Sequence, residues 1–355
     1  MSQSSSTPGQ HPTSLPSAPD TGASFVVRRA ARSAWVGPSG FGLVTLVLIV
    51  LPFVVFQSIT GDLITFFVLV AIASMWNLLA GFGGLISIGQ QAFIGIGAYT
   101  VIGLADLGIN PLVAVIFAVI TSALFAWPTS WLAFRLRGDY FAVGTWVIAE
   151  VYRLIISRMQ TFGGPSGKPL SGIGEMDRTL RAAATYWMAL AVAVACVVGC
   201  YLLLRGRTGL ALTAMRDDDV AAAAGGVDIA RAKRLVYLTS AAGCGAAGAV
   251  LTLNALSVQP NAIFDVKWSA YMIFIVVIGG IGYLEGPILG AIVFYGLQSL
   301  LADYGSWYLI VLGLIAMLAA IYLPRGLWGW VFDRTRWRLF PVGYFVRRTE
   351  RELSG

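Results

Sequence analysis

Long uncharged runs of apolar residues recur along the chain from Phe41 to Leu323. A helix that crosses a bilayer needs roughly 17–25 mostly apolar residues, and most of these runs approach that length. The pattern therefore predicts an all-α polytopic membrane protein with about ten transmembrane helices. We predict these helices near residues 41–57, 63–80, 84–104, 111–134, 140–157, 185–204, 235–256, 268–282, 286–302 and 307–323.

The predicted helix at 268–282 is the shortest, and Gly279, Gly280 and Gly282 lie at its end. Irregular backbone at membrane depth is tolerated only where protein buries it or where it lines an aqueous cavity. Two alternatives therefore stay open for this segment: a short spanning helix, or a re-entrant or broken one.

Basic residues are distributed unevenly between the two predicted sides of the membrane. About ten spans put both chain ends on one side, and 18 of the 24 lysines and arginines fall on that side. Since lysine and arginine accumulate on the cytoplasmic side, both termini are predicted to be cytoplasmic. The resulting domains are a disordered polar tail (1–34), a transmembrane domain (35–330) and a basic cytoplasmic tail (331–355).

Composition supports membrane burial and argues against several other functions. The chain is 57% hydrophobic and only 12% charged, whereas soluble domains average about 25% charged residues. Its net charge of +7 follows from the cytoplasmic arginines, and nothing resembles a nucleic-acid-binding module. The three cysteines lie in apolar runs and the one histidine, His11, lies in the tail, so we expect buried thiols and no metal site.

The sequence contains neither a recognisable nucleotide-binding site nor a catalytic centre. The segment GGPSGKP (163–169) has one residue too few for a P-loop, and proline follows its lysine. We therefore expect no bound cofactor, no enzyme activity and a separate ATPase. Glu150 is the one acid well inside a predicted span, and Arg153 follows at i+3. A structural ion pair and an ion-coupling site both remain open.

The segment WNLLAGFGGLISIGQQAFIGIGAY (76–99) interrupts the apolar pattern with glycines and then with amides. Amides are costly against lipid, so they should face a helix interface or an aqueous path. Two interpretations stay open: a small-residue packing seam, and a pore-lining helix beside a break. The pore or helix-break candidates, together with the acid above, are Asn77, Gly83, Ser87, Gln90, Gln91, Tyr99 and Glu150.

The loop at 205–234 is too long for a simple turn and lies on the predicted cytoplasmic side. Its alanine-rich part, Leu210 to Ile229, predicts a short helix along the membrane face. Asp217, Asp218 and Asp219 suit the first turn of the alanine run, and Gly225 with Gly226 suits its end. The helix is either an interfacial anchor or a docking surface for a soluble partner; anionic headgroups would repel its acidic cluster.

Several ordered motifs now resemble one family, the LivM-type permease subunits of branched-chain amino acid ABC importers. They are NLLAGFGGLISIGQQAFIGIGAY (77–99), GDYFAVGTWVIAE (138–150), FGGPSG (162–167), RTGLALTAMRDDDVAAAAGGVDIARAKRLVY (207–237), IGGIGYLEGPILGA (278–291) and LPRGL (323–327).

The resemblance implies a subunit of a larger machine in the bacterial inner membrane. Its expected partners are a second, LivH-type permease, two cytoplasmic ATPases that bind ATP and magnesium, an extracytoplasmic binding protein and the lipid bilayer. It also implies that the ATPase contacts a coupling loop containing Arg216, Asp217, Asp218, Asp219, Ala222 and Gly226. Import of urea or short amides by the same machine, and an ion-coupled secondary transporter, remain alternatives.

Overall fold

The structure, a computed structural model, describes residues 24–28, 36–53, 57–172, 177–217, 219–301, 307–335, 340 and 345–349. Its helices and strands, in chain order, are β1 (Ser24–Arg28), α1 (Val36–Val50), α2 (Gln57–Asn77), α3 (Gln91–Asp106), α4 (Pro111–Ala133), α5 (Asp139–Arg158), β2 (Lys168–Pro169), α6 (Arg178–Arg205), α7 (Arg207–Asp217), α8 (Asp219–Ala224), α9 (Ile229–Ala255), β3 (Ser257–Val258), α10 (Pro260–Ile263), α11 (Lys267–Gly279), α12 (Gly286–Leu301), α13 (Trp307–Tyr322), α14 (Gly326–Thr335) and β4 (Phe345–Thr349).

The chain forms two compact units, residues 1–32 with 343–355, and residues 33–342. In the first unit β1 pairs antiparallel with β4, and Val26 lies opposite Arg347. The strand β1 falls inside the tail for which no regular structure was predicted; the first residues of that tail lie outside the described part of the chain. The second unit is helical and contains the candidate site.

The predicted all-α polytopic membrane fold is confirmed. Within the described residues, seven helical stretches are long and apolar enough to cross a membrane, and three shorter apolar helices accompany them. The count of ten spans and the side on which the termini lie stay predictions. The domain boundary predicted at residue 330 falls inside α14, since that helix runs from Gly326 to Thr335.

Helix α9 is central to the second unit and packs against α2, α3, α4 and α6. Its contact with α3 depends on residues without side chains. A methyl group on Gly97 would overlap the Gly245 carbonyl, and one on Gly248 would overlap the Ile94 carbonyl. Small residues allow such close helix approach in membranes, where van der Waals packing replaces the hydrophobic effect between helices. The three predicted buried thiols, Cys196, Cys200 and Cys244, are free and buried.

Two predicted spans differ from the structure. The helix predicted at 84–104 begins only at Gln91, because residues 83–90 form a non-helical connection. The helix predicted at 268–282 is α11, which ends at Gly279. Together with α10, this helix forms the 20-residue stretch Pro260–Gly279, which is one of the seven that are long and apolar enough to cross a membrane. Both differences occur where glycines take backbone conformations that a helix does not allow.

The predicted loop helix corresponds to α7 and α8, and Asp218 between them lies outside the described part of the chain. α7 begins at Arg207, before the predicted start, and α8 ends at Ala224. The Gly226 amide donates to the Ala223 carbonyl at 3.0 Å, and Gly226 has a φ of +84°. Glycine adopts this left-handed conformation without the usual steric cost, which is why it ends helices. The predicted end of the loop helix is therefore confirmed.

Candidate site at two facing helix breaks

The first helix break follows α2 directly. Residues Leu78–Phe82 form a π-helical turn, and the Gly83 amide donates to the Leu78 carbonyl at 3.1 Å. Gly84 then has a φ of +66°, and the chain stays non-helical to residue 90. π-Helical turns are rare and frequently occur at functional sites. This break agrees with one of the two interpretations left open for this segment, the one that has a helix beside a break.

Side chains from three helices, α2, α5 and α11, satisfy backbone groups that this break frees. The Trp76 indole donates to the Ser87 carbonyl at 2.8 Å, and the Ser269 hydroxyl donates to the Ile88 carbonyl at 3.0 Å. In return, the Ile88 amide donates to the Thr145 hydroxyl at 3.2 Å. Irregular backbone at membrane depth needs such partners, because lipid supplies none. Specific hydrogen bonds from neighbouring helices therefore stabilise the break.

Gln90 and Gln91 are both fully buried where this segment enters α3. Gln91 Oε1 lies within hydrogen-bonding distance of the same Ser269 hydroxyl of α11, whose single proton is shared between this oxygen and the Ile88 carbonyl. The Ser240 hydroxyl of α9 lies 3.3 Å from Gln90 Oε1 and 3.0 Å from the Met75 carbonyl. Both amides therefore lie at helix interfaces of this chain, and Gln90 Nε2 is a buried donor that lacks an acceptor among the described residues.

The second helix break connects α11 with α12. Gly280 has a φ of +126° and Gly282 a φ of +78°, so the chain leaves α11 in conformations that favour glycine. A methyl group on Gly326, at the start of α14, would overlap the Gly280 backbone. The LPRGL motif therefore packs its glycine directly against this break.

Asn77 joins the two breaks. Its Nδ2 donates to the Tyr283 carbonyl at 2.7 Å, and its Oδ1 accepts from the Gly282 amide at 2.9 Å. A Cβ atom on Gly81 would lie only 2.6 Å from the Gly282 nitrogen. The predicted candidates Asn77, Gly83, Ser87, Gln90 and Gln91 thus lie at or beside the first break.

Glu285 also belongs to this site, although it is not among the candidates predicted from the sequence. Its side chain is buried and accepts a hydrogen bond from the Phe340 amide at 2.8 Å. It directly precedes α12, a position where a carboxylate favours the helix dipole. That position before a helix was the signal from which Glu285 could have been found in the sequence. Thr145, Ser240 and Ser269 gave none, because single hydroxyl residues are common in apolar helices.

Tyr99 lies apart from the breaks. Its buried ring packs on Phe162 and Phe264, with centroids 5.4 Å and 6.2 Å away. The nearby loop is fixed to α3 by an ion pair of 2.7 Å between Lys168 and Asp106. The same loop contributes β2, which pairs antiparallel with β3. Tyr99 therefore supports the connection at the opposite end of α3.

Glu150 also lies apart from the breaks, on α5. Arg153 Nε lies 2.9 Å from both of its carboxylate oxygens, which is the predicted i+3 pair. Arg153 also donates to the Asn261 side chain of α10. The Glu150 side chain is 45% exposed, so this pair fixes α5 to α10 at the surface of the chain.

The loop at 205–234 approaches the first break through α7. This helix contacts both the π-helical turn and α9, and its Leu212 and Met215 side chains are buried. Ala222 of α8 is buried as well. The side chains of Arg216, Asp217, Asp218 and Asp219 lie outside the described part of the structure. Motion of α7 would therefore reach the first break through direct packing.

A pocket of about 620 Å³ adjoins the first break beside the α4–α5 loop. Gly84 and Ile86 of the break line it, opposite Arg137 of the loop and Lys233 of α9. One side of the break therefore packs against neighbouring helices, and the other side lines this pocket.

Comparison with known proteins identifies the family. Residues 58–320 match the family model described as branched-chain amino acid transport system / permease component. The chain belongs to this family.

Individual relatives agree with that assignment. The chain is 30% identical to the high-affinity branched-chain amino acid transport system permease protein LivM of Escherichia coli, over 78% of this chain and 71% of the relative. The LivM protein of Salmonella typhimurium is also 30% identical, over 71% of this chain and 65% of the relative. The fructose import permease protein FruG of Bifidobacterium longum is 26% identical, over 72% and 78%. No solved structure matches significantly.

Proposed function

We propose that this chain is one of two permease subunits in an ATP-driven importer of branched-chain amino acids in the bacterial inner membrane. The observation that carries the proposal is the family match over residues 58–320. A second, LivH-type permease completes the pathway, two cytoplasmic ATPases bind and hydrolyse ATP, and an extracytoplasmic binding protein delivers the amino acid.

The geometry supplies a route by which the ATPases could act on the pathway. In this proposal the ATPases contact the loop 205–234 and displace α7, which packs on the π-helical turn. That turn follows Asn77, whose hydrogen bonds hold the second break. Broken helices suit such a role because their irregular backbone changes conformation at lower cost than a continuous hydrogen-bonded helix. Movement at the loop is thereby converted into rearrangement of both breaks.

A gene-replacement experiment tests this function. A host lacking this chain, but retaining the rest of its importer, should lose energised uptake of radiolabelled leucine, isoleucine and valine. The cloned gene should restore it, and depletion of cellular ATP should abolish the restored uptake. Unchanged uptake in the deletion strain, or restored uptake that follows an ion gradient with ATP depleted, would contradict the proposal.

The likeness to a fructose import permease makes the transported substrate a separate question. We propose amino acids because the family model and the LivM relatives agree on them. Competition of labelled leucine uptake by unlabelled valine, fructose, urea and acetamide distinguishes these substrates. Competition by valine alone supports the proposal; competition by a sugar or an amide transfers the assignment to that class.

A further inference from the structure

Arg234 of α9 lies against two tryptophans of α4. Its guanidinium carbon is 5.4 Å from the ring centroid of Trp127 and 5.7 Å from that of Trp131. The two indoles are four residues apart on one helix and so share a face. A guanidinium within about 6 Å of an indole is attracted by the negative face of the ring. Two such rings hold this cation in a defined position.

This guanidinium has no anionic partner among the described residues. Arg231, one turn earlier, pairs with Asp228 at 2.9 Å, whereas no ion pair or hydrogen bond of the Arg234 side chain is found there. Its Nε atom is buried without an acceptor. Partly buried cations are usually paired, because aromatic contacts only partly replace their hydration. The unpaired fork of N–H donors has the geometry that binds a phosphate oxygen pair.

The surroundings of this cation indicate lipid rather than open water. Trp127 and Trp131 are 50% and 59% exposed, and the exposed apolar face of α4 continues along Ile116, Ile120 and Leu124. Tryptophan is enriched where a membrane protein meets the headgroup region. Arg135 and Arg137 follow the end of α4 on the predicted cytoplasmic side. The inner leaflet carries anionic lipids, which attract basic groups at this depth.

We propose that Arg234, Trp127 and Trp131 form a binding site for the phosphate of an anionic phospholipid in the cytoplasmic leaflet. The guanidinium binds the phosphate oxygens, and the exposed indole faces pack along the upper part of the acyl chains. The site lies on α4 and α9, the two helices that pack most extensively on each other. It is distinct from the two helix breaks.

Native mass spectrometry of the full chain, purified with its partner subunits in detergent, tests this site. Wild-type protein is titrated with phosphatidylglycerol, with phosphatidylcholine and with inorganic phosphate. Arg234→Gln should retain about fivefold less phosphatidylglycerol than wild type, since one basic residue near an anionic lipid contributes about that factor. Arg231→Gln is the matched control, because Arg231 is 87% exposed and already paired; it should retain lipid like wild type.

Two further variants keep the test decisive if Arg234→Gln folds poorly. Arg234→Lys keeps the charge but loses the planar guanidinium. It should therefore retain more phosphatidylglycerol than Arg234→Gln and less than wild type. A Trp127→Leu/Trp131→Leu double variant keeps Arg234 and should also retain less phosphatidylglycerol. Equal lipid retention in all variants would overturn the proposal, as would equally tight binding of inorganic phosphate. Loss of the second permease from Arg234→Gln without any change in lipid retention would also overturn it, by assigning the surface to a subunit interface.

Discussion

The Asn77 side chain bonds to the backbone of Tyr283, 206 positions further along the chain, with its Nδ2 2.7 Å from that carbonyl oxygen. Its other side-chain atom, Oδ1, accepts from the Gly282 amide. One amide therefore ties the end of α2 to the break between α11 and α12. The importer proposed above depends on this connection, since it is the direct polar contact between the two irregular segments.

Asn77→Leu removes both hydrogen bonds and leaves the part-buried Gly282 amide and Tyr283 carbonyl without these partners at the second break. Each unpaired buried group costs about 1–3 kcal/mol, so the variant should melt at lower temperature and lose most of its uptake. Thermal unfolding in detergent and leucine uptake in cells measure the two effects. Asn254→Ala is the control, because Asn254 is exposed. Wild-type stability in Asn77→Leu would show that the breaks are held in another way.

Gln90→Leu and Gln91→Leu should differ from each other. Gln91 Oε1 lies within hydrogen-bonding distance of the Ser269 hydroxyl, so its loss leaves a buried hydroxyl with one partner fewer and should destabilise the chain by about 1 kcal/mol. Gln90 Nε2 is a buried donor that lacks an acceptor among the described residues, so replacement of Gln90 should reduce uptake more than it reduces assembly. Uptake per assembled complex, measured against subunit copurification, separates the two. If uptake falls only in proportion to assembly for both variants, the amides form a packing seam.

Gly97→Ala tests the close contact between α3 and α9. Its methyl group would overlap the Gly245 carbonyl, and overpacking of this kind typically costs about 1–3 kcal/mol. Gly199→Ala is the matched control, since a Cβ at Gly199 of α6 meets nothing within 4 Å. It should be neutral or slightly stabilising, because alanine is the better helix former. Equal melting temperatures for the two variants would contradict the packing argument.

Reversal of charge at Asp217, Asp218 and Asp219 to lysine tests the coupling loop. If these residues dock an ATPase, copurification of the ATPase and uptake should both fall, while membrane insertion stays normal. Asp333→Lys is the control, because Asp333 is a half-exposed acid of α14 that pairs with Arg325 at 3.1 Å, and such pairs contribute little. Preserved ATPase association in the triple variant would leave the loop as an interfacial anchor.

Glu150→Gln separates the ion pair from an ion-coupling site. The pair is partly exposed, so its loss should change stability by about 0–1 kcal/mol. Uptake should stay within about twofold of wild type and stay insensitive to a protonophore at constant ATP. Abolished uptake with normal assembly would instead indicate that Glu150 takes part in coupling to an ion.

Sequence alone indicated both breaks, each as one of two open interpretations, but not their contact. Glycine clusters interrupt apolar runs visibly, and this made irregular segments near Gly83 and Gly280 one of the alternatives. The partners of the breaks were not predictable, because Ser240 and Ser269 look like ordinary residues of apolar helices. The start of α3 at Gln91 was missed because hydropathy does not distinguish a buried irregular segment from a buried helix.

The central claim is that this chain forms a transport pathway which separate ATPases drive. Uptake of labelled leucine into proteoliposomes that contain the whole purified complex and its binding protein tests it most directly. Uptake is expected only when ATP is present on the ATPase side and the binding protein on the other, and the Asn77→Leu variant should be strongly reduced. Uptake by this chain alone under an ion gradient, with no ATPase present, would contradict it.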